Sequence, residues 1–203
     1  MNHFSIPMAL VDFIPVFFFG LGAVILMRDL HNKMTTASFA LFAAGSINVF
    51  SAGFLKALWK LLYAANICDF TALDAMFFPV QSIGFMLAGA GIILMLVKRR
   101  QVLYAVAPPV FSGTFLFVAL MVAGLGCING GLCRIAGKMK KPTAFFLFIA
   151  AFLCSLCMGY LSSQDFTESF MNWLAEIINT LGQGAFLMGV VILDKSGLKQ
   201  LKL

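Results

Sequence analysis

The chain has 203 residues, 62% of them apolar and only 11% charged, with a net charge of +6. Soluble domains run near half apolar and a quarter charged, so this composition excludes a water-soluble globular protein and makes lipid the main solvent. The positive charge does not indicate nucleic-acid binding, because Lys and Arg fall in short clusters between apolar runs, where they serve as topology signals and contacts for lipid headgroups.

A spanning helix needs roughly 20 apolar residues, and six such runs follow one another. The first extends from Ile6 to Met27. No Lys or Arg precedes it and no small-residue cleavage site follows, so it is expected to be a retained span rather than a signal peptide. A polar turn, Arg28 to Lys33, leads to the second run, Thr36 to Tyr63, whose end carries Lys56, Trp59, Lys60 and Tyr63, as suits the headgroup level. Beyond Asp69 the third run spans Ala72 to Val97 and stops at Lys98-Arg99-Arg100. The fourth is expected from Val110 to Gly126, after a break at Pro108-Pro109. A basic, glycine-rich loop with Gly130, Gly131, Arg134, Lys138, Lys140 and Lys141 is expected next. The fifth run covers Thr143 to Leu161, and an acidic loop with Asp165 and Glu168 precedes the sixth, Phe170 to Leu193. Lys195, Lys199 and Lys202 close the chain.

The expected fold is therefore all-α, a polytopic membrane bundle of six helices forming a single integral membrane domain. Residues 1–100 and 101–203 echo one another weakly. Arg28, Lys33-Met34, Phe39 and Leu41-Phe42 match Arg134, Lys138-Met139, Phe145 and Leu147-Phe148. Pro15-Val16-Phe17 matches Pro109-Val110-Phe111. At one constant offset Asp74 matches Glu176, Gln81 matches Gln183 and Met86 matches Met188. Two units of three spans each would place the second in the opposite sense, the inverted-topology arrangement of many transporters. Loop charges then divide almost evenly, and the slightly larger cluster favours both termini in the cytoplasm of a cell-membrane protein.

Polar residues inside the spans mark the candidate site. In span six Asn172, Glu176, Asn179 and Gln183 are spaced by four, three and four, which holds them within roughly 60° on one face. A carboxylate near the bilayer centre costs ~2.5 kcal/mol or more unless paired, hydrated or protonated, so this stripe should face the bundle interior. Asp74 and Gln81 in span three, and Ser46, Asn48, Ser51 and Lys56 in span two, are expected to complete that interior. For Asn48, Ser51 and Asn179 taken singly, hydrogen bonding that holds helices together is the favoured role. Asp74 fits simple solvation near the surface, and Lys56 and Lys60 fit snorkelling. Glu176 has three open roles: titration in a proton-coupled cycle, attraction of a cation or polar solute, and an ion pair with Lys56.

The five cysteines, an odd number, include Cys154 and Cys157 in mid-span, where Cys acts as a small hydrophobe, and His3 and His31 fall at the terminus and in a loop. No phosphate-binding loop, HExxH or GxSxG with a buried His occurs, so no catalytic residue, metal ligand or cofactor is assigned. Enzymatic activity would need a carboxylate such as Glu176 acting on a lipid-soluble substrate. The expected function is a small transporter or channel that moves a small solute or ion past Glu176, Gln183, Asn179, Asn172, Gln81, Asp74, Asn48 and Lys56. The alternative is a non-transporting membrane subunit or small-molecule receptor. Membrane lipids are expected partners, as is a homo-oligomer or a partner membrane subunit; nucleic acid is not.

Overall fold

In the computed structural model the described residues are 5–97, 114–161 and 169–201. His3, Lys98-Arg99-Arg100, the break at Pro108-Pro109, the start of span four, the acidic loop at Asp165 and Glu168, and Lys202 lie outside them. The first span is two helices, α1 (Ile6–Val11) and α2 (Phe13–Leu30). They part at Asp12 because Pro15 has no N–H to offer the Val11 carbonyl one turn earlier. Then come α3 (Thr36–Ala64), α4 (Thr71–Leu96), α5 (Thr114–Lys138), α6 (Pro142–Leu161) and α7 (Ser169–Lys195). Ser5 caps α1 by accepting from the Met8 N–H at 3.4 Å, and Thr35 caps α3 by accepting from Ser38 at 3.2 Å. Pro142 opens α6 at the position where its missing N–H costs nothing.

Six helical segments are long and apolar enough to cross a membrane, and the protein is a multi-pass α-helical bundle. Its outer surface agrees with that assignment. Ile14, Phe17, Leu21 and Val24 on α2 are exposed, as are Phe146, Ile149, Leu153, Leu156 and Tyr160 on α6. Spacings of three and four give each helix one apolar stripe, as a lipid-facing surface requires. Span four departs from expectation: α5 continues through Gly130, Gly131 and Arg134 to Lys138, so the glycine-rich stretch is helix rather than loop. Gly131 is there because a Cβ would overlap the Ile92 side chain of α4. Lys138 in the last turn faces the negative end of the helix dipole.

The helices form a ring in the order α2, α3, α4, α5, α6, α7 and back to α2. Close contacts fix their directions. Gly124 on α5 meets the Phe85–Met86 backbone, and Gly131 meets Ile92, so α4 and α5 run the same way. Gly184 meets Phe18, Gly22 meets Phe186 and Arg28 meets Asp194, so α2 and α7 are also parallel. The other neighbours are antiparallel: Gly91 packs on Phe42, Gly53 on Val16 and Gly189 on Phe148, and the α5–α6 pair meets at Cys133 and Phe145. One end of the bundle, here the near end, therefore holds the starts of α1, α4, α5 and α7. The far end holds the starts of α3 and α6 and the close of α7.

This packing does not support the inverted arrangement, in which spans three and four would run in opposite directions. The echo in sequence instead joins two three-helix units entered from the same end. Phe42 and Phe148, and Gly45 and Ala151, are 106 positions apart; Gly84 and Gly182, and Gly91 and Gly189, are 98 apart. Gly91 against Phe42 recurs as Gly189 against Phe148, and Gly84 against the Gly45 carbonyl recurs as Gly182 against the Ala151 carbonyl. The seams recur too, with Gly124 on Met86 and Phe18 on Gly184. In this packing register Asp74 corresponds to Asn172, Gln81 to Asn179 and Phe78 to Glu176. The match of Asp74 with Glu176 is one helical turn out, a slip that keeps the same face of the helix. The described chain begins and ends at opposite ends of the bundle.

Candidate functional site

The near half of the bundle encloses a cavity of about 500 Å³. That is enough for a small organic molecule. Its rim carries charge: Asp12 at the break between α1 and α2, Lys56 and Lys60 on α3, Asp74 on α4 and Glu176 on α7. Its walls are aromatic and amide, with Trp59, Phe50, Phe77, Phe78, Gln81, Asn172 and Asn179. Its floor is Phe19, Phe85, Leu125, Ser155 and Gln183.

Two ion-pair groups organise the rim. Lys60 donates to Glu176 Oε1 at 2.7 Å and lies 2.9 Å from Asp12 Oδ2. All three side chains are nearly enclosed, at 12%, 11% and 7% exposure for Lys60, Asp12 and Glu176. Burial on this scale needs paired charge, because desolvating a lone carboxylate costs several kcal/mol. Lys56 sits 3.8 Å from Asp74 and 4.0 Å from the centre of the Phe77 ring, a cation–π placement. Pro79 lies inside α4, and its missing N–H leaves the Ala75 carbonyl, on the cavity wall, without its usual helical partner.

Below the floor the bundle is filled. Phe19 stacks on Phe186 at 5.8 Å and meets Phe85 edge-on at 5.9 Å, and Phe148 packs against Phe186 at 6.3 Å. These rings come from four helices and cross the centre. A space of about 10 Å³ remains among them, beside Gln183, Ser155 and Asn129, and is of the order that one water needs. Asn129 is buried, donates to the Leu125 carbonyl at 3.0 Å and leaves its own Oδ1 unpartnered among the described residues. Farther down Leu26, Leu30, Ile92, Leu132, Val190 and Leu193 are fully enclosed. At the far end Arg28 bridges Asp29 and Asp194, and Lys33 donates to the Lys199 carbonyl at 2.7 Å.

Seven of the eight residues singled out by sequence line the cavity: Glu176, Gln183, Asn179, Asn172, Gln81, Asp74 and Lys56. Asn48 does not, and neither do Ser46 and Ser51, which fall on other faces of α3. The partner of Glu176 is Lys60, not Lys56. Sequence reasoning missed Asp12, Trp59, Ser155 and Asn129 as site residues and took Lys60 for a snorkelling side chain. Asp12 had a signal, being an acid seven residues into an apolar run. Among the described residues no group of His, Cys, Asp and Glu could hold a metal ion. The cysteines described are free. No family model, curated protein or solved structure matches this chain.

Proposed function

We propose that the protein is a carrier that moves a small polar solute across a cell membrane by alternating access. The observation behind this reading is the asymmetry of the bundle: a mainly apolar cavity with a charged rim in one half, and a filled, ion-paired other half. A channel needs a continuous path, whereas a carrier closes one side while its site faces the other. Gln183 and Ser155 supply hydrogen-bonding groups at the depth where the cavity ends. The parallel seams α4–α5 and α7–α2 supply the two surfaces on which three-helix units can rock.

Orientation follows from charge. Arg28, Lys33, Arg134, Lys138, Lys140, Lys141, Lys195 and Lys199 all belong to the far end. Loops rich in Lys and Arg stay in the cytoplasm, so the cavity faces outward in this conformation.

The test is uptake into liposomes holding the purified protein, screened with labelled amines, amides and amino acids. Saturable uptake of one class is expected, reduced at least tenfold in Gln183→Leu. If no class is taken up while one of them raises the melting temperature, the protein is a receptor and the carrier reading fails.

A further inference from the structure

We propose that Asp12 and Glu176 share one exchangeable proton beside Lys60, which makes the proton the coupling ion of the carrier. The role in transport rests on the carrier reading; the proton itself does not. The geometry supplies two carboxylates and one ammonium. Lys60 Nζ reaches Asp12 Oδ2 at 2.9 Å and Glu176 Oε1 at 2.7 Å. Fully ionised, this trio carries one negative charge in a place nearly closed to water. Glu176, only 5% exposed, has its second oxygen, Oε2, without a hydrogen-bond donor among the described residues. Both carboxyl groups approach the same ammonium nitrogen, Asp12 from the break between α1 and α2 and Glu176 from α7. Ionised carboxylates only accept, so a direct hydrogen bond between the two forms only when one of them is protonated. Two acids that share a site take up their protons as a coupled pair, not independently.

Among the described residues, the surrounding elements do not supply the missing positive charge. On α3 the neighbouring ammonium, Lys56, is engaged by Asp74 of α4 and by the Phe77 ring. On α7 the nearest polar neighbours are the amides Asn172 and Asn179. The cavity-lining residues of α5 and α6, such as Met121 and Met158, are uncharged. The balance is then one proton, taken from water on the cavity side onto a carboxylate oxygen and given up on the other side. With it the trio is neutral; without it the trio is anionic. Moving the trio out of contact with water is cheaper in the neutral form, so closure of the near end follows protonation.

Infrared difference spectroscopy of the protein in lipid films, with the bathing pH stepped, reads this proton directly. The wild type should show a carboxylic-acid carbonyl band that vanishes as pH rises. Glu176→Gln and Asp12→Asn should each abolish it, because one remaining carboxylate opposite one ammonium stays ionised. Asp74→Asn should keep it. Glu176→Asp retains two acids and should keep the band at a changed frequency, which separates loss of the proton from loss of the fold. A wild type without a titrating band, or a band that survives in Glu176→Gln or Asp12→Asn, overturns the proposal. Solute uptake without the band sinks the proton and spares the carrier, and a band without uptake does the reverse.

Discussion

Lys60 pairs with two acids that come from different parts of the chain, so its removal should be felt more than that of any other cavity side chain. Deleting one member of a buried ion pair typically costs about 3–5 kcal/mol, because the partner stays buried and unpaired. Lys60→Met leaves two such partners. Lys56→Met leaves only Asp74, whose side chain is 45% exposed and can be solvated, so that loss should stay near 1 kcal/mol or below. Denaturant unfolding in mixed micelles measures both, and equal losses would show that the Lys60 cluster is not organised as described. The same residues show what could be read without coordinates. Asn172, Glu176, Asn179 and Gln183 announce themselves because one helix repeats its face every three to four residues. Asp12 meets Lys60 across two helices, and no periodicity encodes that distance. Lys60, close to Trp59 and Tyr63, has the same local pattern as a lysine reaching for headgroups.

Packing between helices depends on glycines whose positions look alike in sequence and differ in space. Gly124 lies in the parallel seam, where a Cβ would overlap the backbone of Phe85 and Met86. Gly130, six residues on in the same helix, has nothing within 4 Å of that point. Gly124→Ala should therefore destabilise by about 1–3 kcal/mol through overpacking. Gly130→Ala should stabilise by up to about 1 kcal/mol, because alanine is the better helix former. Opposite signs in thermal unfolding of the two variants are the expected result; the same sign for both would remove the seam as the cause. Helix existence was plain from apolar runs, and the ends of α2, α3, α4, α6 and α7 lie close to their expected positions. The end of α5 was misplaced because Gly130 and Gly131 look like a loop in one dimension. Only the neighbour Ile92, thirty-nine positions earlier, explains why a helix uses glycine there.

At the scale of the whole molecule, direction is what the chain concealed. A run of apolar residues carries no arrow, and with six spans counted in alternation the second unit had to be inverted. Contacts at Gly124, Gly131 and Gly184 give the arrows and make both units parallel. The charges change meaning with them. Divided between two faces they nearly cancelled; gathered at the far end they form the single cluster on which the proposed orientation rests. The consequence is testable without any substrate. A reporter active only outside the cytoplasm, placed before Ser5 or at Asn66, should be active; placed at Lys140 or after Leu201 it should be silent. A reporter that fluoresces only in the cytoplasm should give the reverse pattern. Two termini on the same side would contradict the parallel seams, because α2 and α7 run together from Asp12 and Glu176, shared at Lys60, to Arg28 and Asp194. In the proposed carrier the ion pairs at both ends of that one helix pair have distinct places in the cycle. In the proposed orientation the Lys60 cluster borders the cavity on the outer side and the Arg28 bridge closes the inner side, so opening inward would require the Arg28–Asp194 contact to part. Asp194→Asn should accordingly raise labelling of Val190→Cys by a thiol reagent applied from the cytoplasmic side, in a background without the native cysteines, and unchanged labelling would place the inner barrier elsewhere.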